Sequence, residues 1–182
     1  MAARKQVKGP QVYVGIVMGS ASDWSVMEQA AQQLEAFGVA HEVRVLSAHR
    51  TPAAAAAYAR AAERRGVKVL IAGAGMAAHL AGVLAAHTPL PVIGVPLRGG
   101  ALDGLDALLS MAEMPAGVPV ATVALGTAGA VNAALLAGQI LALADSLLAA
   151  RFRAYKADLA RQAVAAERKL LLDRRAQASR AP

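Results

Sequence analysis

His41, His49, His79 and His87 are the side chains of this chain whose ordinary pKa lies near neutrality, because it contains no cysteine. One of them, His49, stands in "SAHRTP" (47–52) between Ser47 and Arg50, just before a run of alanines. A guanidinium at a helix N-terminus opposes the helix dipole. That arrangement makes sense if Arg50 meets an anion such as a phosphate. An imidazole beside it can move protons near neutral pH, or can be a plain loop residue; the types alone leave both open.

Two other stretches have comparable content. "MGSASDW" places Ser20, Ser22 and Asp23 ahead of a helix. They can cap it, with Asp23 or Ser22 accepting backbone N–H bonds. Equally, the exposed N–H groups can form an anion or sugar site. "GAGMAAH" brings Gly73, Gly75, Ala77 and His79 after an apolar segment. It matches G-x-G-x-x-A, but the acidic residue a dinucleotide site wants about twenty positions on is absent, the first being Asp103. These glycines suit close approach of a small ligand to the backbone. No His, Asp or Glu cluster has metal-ligand spacing, no serine sits in a nucleophile elbow, and there is no Walker lysine. His41 and His87 fall outside such loops and are expected to be structural or at the surface.

These residues need a scaffold, and the punctuation describes one. Strands are predicted at 12–18, 41–46, 67–72, 91–95 and 118–125. Helices are predicted at 23–37, 52–65, 77–86, 103–112 and 130–149, with Thr51 as an N-cap, Pro52 at a first helical position, and Gly38 and Gly66 as stops. Alternating strands and helices imply a parallel sheet covered on both faces, a flavodoxin-like three-layer α/β/α domain with five strands. Ligands of such sheets bind outside the carboxyl ends of the strands, which is where the three stretches fall, together with "PLRGGAL" after the fourth strand.

Composition narrows the function further. The chain has 182 residues, 57% hydrophobic but only 3% aromatic, so aliphatic side chains must build the core. Apolar content this high suggests burial against further copies of the chain. The net charge is +7, but +6 of it lies from Arg151 onward, on a predicted charged helix. That distribution argues against a nucleic-acid groove. Two long uncharged stretches, between Lys68 and Arg98 and between Glu113 and Asp145, are broken by Gly and Pro, so neither forms a membrane span. "MAARKQVKGP" lacks an apolar run behind its charges, so no signal peptide is expected. The absence of cysteine fits a reducing cytoplasm. Three regions are expected: an N-terminal tail (1–10), a catalytic domain (11–150) and a C-terminal helix (151–182). On that helix Phe152, Tyr155, Leu159, Ala163 and Leu170 form a partial apolar stripe for a neighbouring subunit.

In order and spacing, "VMGSASDW", "SAHRTP", "AGAGMAAHLAG", "GVPL", "MPAGVPVATVALG" and "AGAVNAALLAGQILAL" resemble the N5-carboxyaminoimidazole ribonucleotide mutase family of bacterial purine biosynthesis, over about residues 11–150. The resemblance implies a flavodoxin-like subunit of a homo-octamer, without metal or organic cofactor. It implies a nucleotide substrate whose carboxylate moves from the exocyclic nitrogen to ring C4 through trapped CO2. By motif, Ser20 and Asp23 would bind the ribose-phosphate part, Ser47 and Arg50 would line the site with Arg50 at the phosphate, and His49 would shuttle the proton. Gly73, Gly75, Ala77 and His79 would form the loop closing over the imidazole and carboxylate. The chain departs from the family pattern at Met76 (usually Gly), Ala81 (Pro), Arg98-Gly99 (often Gln-Ser) and Thr127 (often Lys). The alternatives are an aminoimidazole ribonucleotide carboxylase using CO2 directly, whose members usually read "SAHKT" and lack the "GAGxAAHL" loop; a paralogue with another substrate; and a non-catalytic nucleotide-binding module.

Overall fold

A computed structural model describes residues 12–178. Its elements are β1 (Val14–Met18), a 3-10 turn (Ala21–Asp23), α1 (Trp24–Ala36), β2 (His41–Val45), α2 (Pro52–Ala62), β3 (Val69–Gly75), α3 (Leu80–Ala85), β4 (Val92–Leu97), α4 (Leu105–Ala112), β5 (Ala121–Thr122), α5 (Thr127–Ala142) and α6 (Ser146–Ala178). The chain divides into two compact units, one up to Leu141 and one from Ala142 onward. The expected tail at 1–10 lies outside the described residues.

The first unit is a five-stranded parallel sheet in the order β2-β1-β3-β4-β5. The order reverses beside β1, where β2 lies on one side and β3 on the other. β1 and β4 are buried along their whole length. Their side chains alternate between two helical layers, as the strand period of two requires. Val17, Leu70 and Ala72 join residues of α2, α3 and α4 in one core cluster. On the other face, Gly73 lies beneath Met27 of α1, and Gly129 of α5 packs against Val95. This is the three-layer flavodoxin-like arrangement that alternating elements imply.

Several boundaries differ from the sequence reading, each for a local reason. β3 runs on to Gly75, because Gly73, Ala74 and Gly75 stay in register with Val95, Pro96 and Leu97. The helix expected from residue 77 begins at Leu80, because Met76 and Ala78 take left-handed backbone (φ +56° and +47°). The strand expected at 118–125 is paired only at Ala121–Thr122. Pro115 and Pro119 lack N–H groups on its approach, and beyond the strand only isolated bonds continue, from Val123 N–H to Gly94 O and from Gly126 N–H to Pro96 O.

The helix expected at 130–149 ends at Ala142, and a new one begins at Ser146. Asp145 starts it, accepting the N–H groups of Leu147 (3.0 Å) and Leu148 (2.9 Å) on Oδ1, a side-chain cap that apolar periodicity hides. In the second unit, α6 mixes charged residues with exposed apolar ones, among them Leu147, Leu159, Val164, Leu170, Leu171 and Leu172. Among the described residues no helix is long and apolar enough to cross a membrane.

Candidate active site

Three loops at the carboxyl edge of β1, β2 and β3 interlock through hydrogen bonds. The β1 loop is built by a capping box. Ser20 caps the 3-10 turn, taking the Ser22 N–H on its hydroxyl (3.3 Å), while Asp23 Oδ2 takes the Ser20 N–H (3.0 Å). Ser20, not Ser22 or Asp23, is therefore the capping residue, and Asp23 is its reciprocal partner. Burial pushes the Asp23 carboxyl above its ordinary value, against the lowering effects of the Ser20 N–H, the Arg50 charge and the Gly19 N–H.

The β2 loop turns on Ser47. Its hydroxyl accepts the N–H groups of His49 (3.3 Å) and Arg50 (3.1 Å). Thr51 occupies the N-cap position of α2 but makes no capping bond. Its hydroxyl reaches back instead, accepting the Ser47 N–H (3.0 Å) and donating to Ser47 O (3.2 Å). The loop is thus stapled to itself, and Pro52 at the helix start needs no N–H acceptor. Arg50 crosses to the first loop and donates to Gly19 O at 2.8 Å. Among the described residues no carboxylate lies within ion-pair distance of it. Its exposed guanidinium keeps donors to offer an anion.

The β3 loop brings the second imidazole. His49 Nε2 lies 2.7 Å from His79 Nδ1, with the rings edge to face at a 4.8 Å centroid separation. One nitrogen donates and the other accepts, so while the bond holds the pair carries at most one extra proton. Such a bond can fix the tautomer of the two rings or pass a proton between them.

Of the sequence-predicted residues, Ser20, Asp23, Ser47, His49, Arg50 and His79 thus meet in one bonded group. Gly75 ends β3, and Ala77 is exposed in the turn after it. Gly73 sits inside β3, not in the loop. A Cβ there would come 2.5 Å from Met27 Sδ, so its smallness serves packing of α1 on the sheet. His41 Nδ1 contacts Val39 O at 3.3 Å, away from the group.

Beside Asp23 opens a cleft of about 550 Å³, lined also by Ser22, Leu97, Arg98, Gly126 and Thr127. Gly126, whose φ of +70° turns the chain into α5, and Thr127 bring the β5–α5 segment to this edge beside the loops singled out from the sequence. Arg98 is held by an ion pair with Asp103. Among the described residues no group of three or more His, Cys, Asp or Glu is placed to hold a metal ion.

The comparisons with known proteins point the same way as this edge. The chain is 59% identical over 140 residues to the N5-carboxyaminoimidazole ribonucleotide mutase of Brucella melitensis, covering 77% of this chain and 86% of that protein. It is 59% identical over 152 residues to the mutase of the same name from Mycobacterium tuberculosis, covering 84% and 86%. The crystal structure of Treponema denticola PurE superposes with a TM-score of 0.78 at 30% identity, over 87% of this chain and 98% of that one. The family model described as AIR carboxylase matches residues 13–162, which span all three interlocked loops. By sequence and by fold, the chain belongs to the AIR carboxylase family.

Proposed function

We propose that this chain is an N5-carboxyaminoimidazole ribonucleotide mutase, moving a carboxylate from the exocyclic nitrogen of its substrate to ring C4. The observation that carries the reading is a bonded imidazole pair beside a guanidinium that makes no ion pair among the described residues, on the ligand edge of a chain 59% identical to proteins of that name.

Each group then has work that its chemistry suits. Arg50 holds the substrate phosphate, with Ser47 fixing the loop that presents it. Ser20 and Asp23 hold the ribose. His49 gives a proton to the exocyclic nitrogen as the N–C bond breaks and CO2 departs. The electron pair of ring C4 then attacks the carbon of CO2, and the C4 proton returns to His49. No atom is gained or lost, and the imidazole ends in its starting state. His79 holds the tautomer of His49 through the shared bond. Water must be kept away throughout, because escaping CO2 leaves the aminoimidazole behind.

The working assembly is a homo-octamer on this reading. Val43 (38% exposed) and Val45 (51%) on the edge strand β2 support it, as do Leu102, Leu105 and Leu109 on and before α4, all at least half exposed. The C-terminal helix packs on neighbouring subunits, and the compartment is the cytoplasm, in keeping with the absence of cysteine.

The test is His49→Asn. Turnover of N5-carboxyaminoimidazole ribonucleotide should fall by roughly 10²–10⁴-fold, the usual worth of a general acid–base group. The far-ultraviolet circular dichroism should be unchanged, because the exposed ring supports no core contact. A folded variant with wild-type turnover removes the shuttle role.

A further inference from the structure

Arg98 follows Leu97, the last residue of β4, which pairs in register with Gly75 at the end of β3. It lines the cleft beside Asp23. A free guanidinium there would be a second cation on the ligand edge, after Arg50. Arg98 is not free, because it forms an ion pair with Asp103, five residues on. Both partners are mostly exposed, and pairs of that kind add little stability. What the pair does change is the charge that the cleft offers.

The loop between the partners is shaped to make the pair. Gly99, Gly100, Asp103 and Gly104 all have positive φ, and Asp103, at +46°, is the one among them with a Cβ. Aspartate is among the few side chains that tolerate this conformation. The chain thereby returns to its own start: a Cβ on Gly104 would lie 3.1 Å from Leu97 O and 3.2 Å from Arg98 Cα. Asp106, the next carboxylate, is engaged elsewhere and accepts the Ala107 N–H at 2.9 Å. Among the described residues, Asp103 is thus the carboxylate that answers Arg98, whereas Arg50 has none. The edge presents one neutralised guanidinium and one unopposed.

The substrate of the mutase reading has two anionic groups with different fates. The phosphate keeps its charge throughout. The carboxylate loses its charge, because the electrons of the breaking N–C bond stay with the nitrogen, which takes the proton, and CO2 leaves neutral. A cation resting on that carboxylate would stabilise the bound substrate more than the transition state, and so slow the step. We propose that Asp103 is a positioning residue for this reaction, holding the Arg98 guanidinium in a neutral pair at the rim so that it does not settle on the substrate carboxylate. This rests on the mutase reading above.

A double-mutant cycle tests it, with kcat and KM for N5-carboxyaminoimidazole ribonucleotide measured for wild type, Asp103→Asn, Arg98→Gln and the double variant. Asparagine also tolerates the left-handed backbone, so Asp103→Asn keeps the loop and frees the cation. It should lower KM and kcat together, each several-fold. Arg98→Gln leaves Asp103 unopposed against an anionic substrate and should raise KM several-fold. The double variant has neither charge and should return both parameters toward wild type. A pair that merely braces the loop gives another pattern: both single variants lose kcat/KM without any fall in KM, and the double variant is no better than either. That pattern overturns the proposal, as does an Asp103→Asn variant with wild-type kcat and KM. Wild type that forms no product overturns the mutase reading and the proposal with it, an outcome distinct from an active wild type whose variants fail the cycle.

Discussion

At the residue scale, the site is a set of short-range commitments that leave a few groups free. Ser47 braces the backbone of its own loop and Ser20 caps the turn after β1, whereas Arg50 keeps donors available. Asp23 carries a tension that can be measured. Its carboxyl is raised above 3.8 by burial, so the folded state holds a proton more readily than the unfolded chain does. That contribution to stability is fully present below the unfolded value and is lost as pH rises through the folded one. At neutral pH the charged Asp23 therefore costs stability. Asp23→Asn stays neutral and can still accept the Ser20 N–H. It should melt at or above wild type at neutral pH, with the difference shrinking below pH 3.8, while substrate affinity falls. Thermal melts at the two pH values check this, and a variant that melts below wild type at neutral pH contradicts it. Asp23, Arg50 and His49 were legible in the sequence because a charged or titratable side chain in an apolar chain draws notice. The bond between His49 and His79 was not, since thirty residues separate its partners and only the fold brings them to 2.7 Å.

At the element scale, the parallel sheet was legible because Gly and Pro punctuate each unit and the buried strands are uniformly apolar. Boundaries failed where backbone chemistry overrode periodicity: left-handed residues delay α3, and the Asp145 cap splits one apolar run into two helices. Gly73, read as a ligand contact, sits within β3 where its smallness admits Met27. Gly129, on α5, likewise admits the chain before that helix. The second case gives a sharp expectation. A Cβ at Gly129 would fall 1.7 Å from Ala124 O, a backbone atom that cannot swing away as a side chain can. Gly129→Ala should destabilise by at least the ~1–3 kcal/mol typical of overpacking. Because Leu125, Gly126 and Thr127 line the cleft, its shape should suffer too. Urea unfolding compared with wild type measures the first effect, and an unchanged midpoint would refute the tight contact.

At the scale of the whole molecule, apolar content raised an expectation that one chain cannot satisfy. The exposed valines of β2 and the leucines at 102, 105 and 109 are among the apolar side chains left at the surface of the first unit. Sedimentation of wild type should give a mass several times the 18.5 kDa of one chain, and Leu105→Glu with Leu109→Glu should shift it downward. A clean monomer from the wild-type protein counts against the octamer. The central claim concerns chemistry, and one assay addresses it: purified protein is given N5-carboxyaminoimidazole ribonucleotide in one reaction and aminoimidazole ribonucleotide with bicarbonate in another. The account predicts C-carboxylated product from the first at low enzyme concentration. Product from the second alone, or from neither in a folded protein, contradicts it.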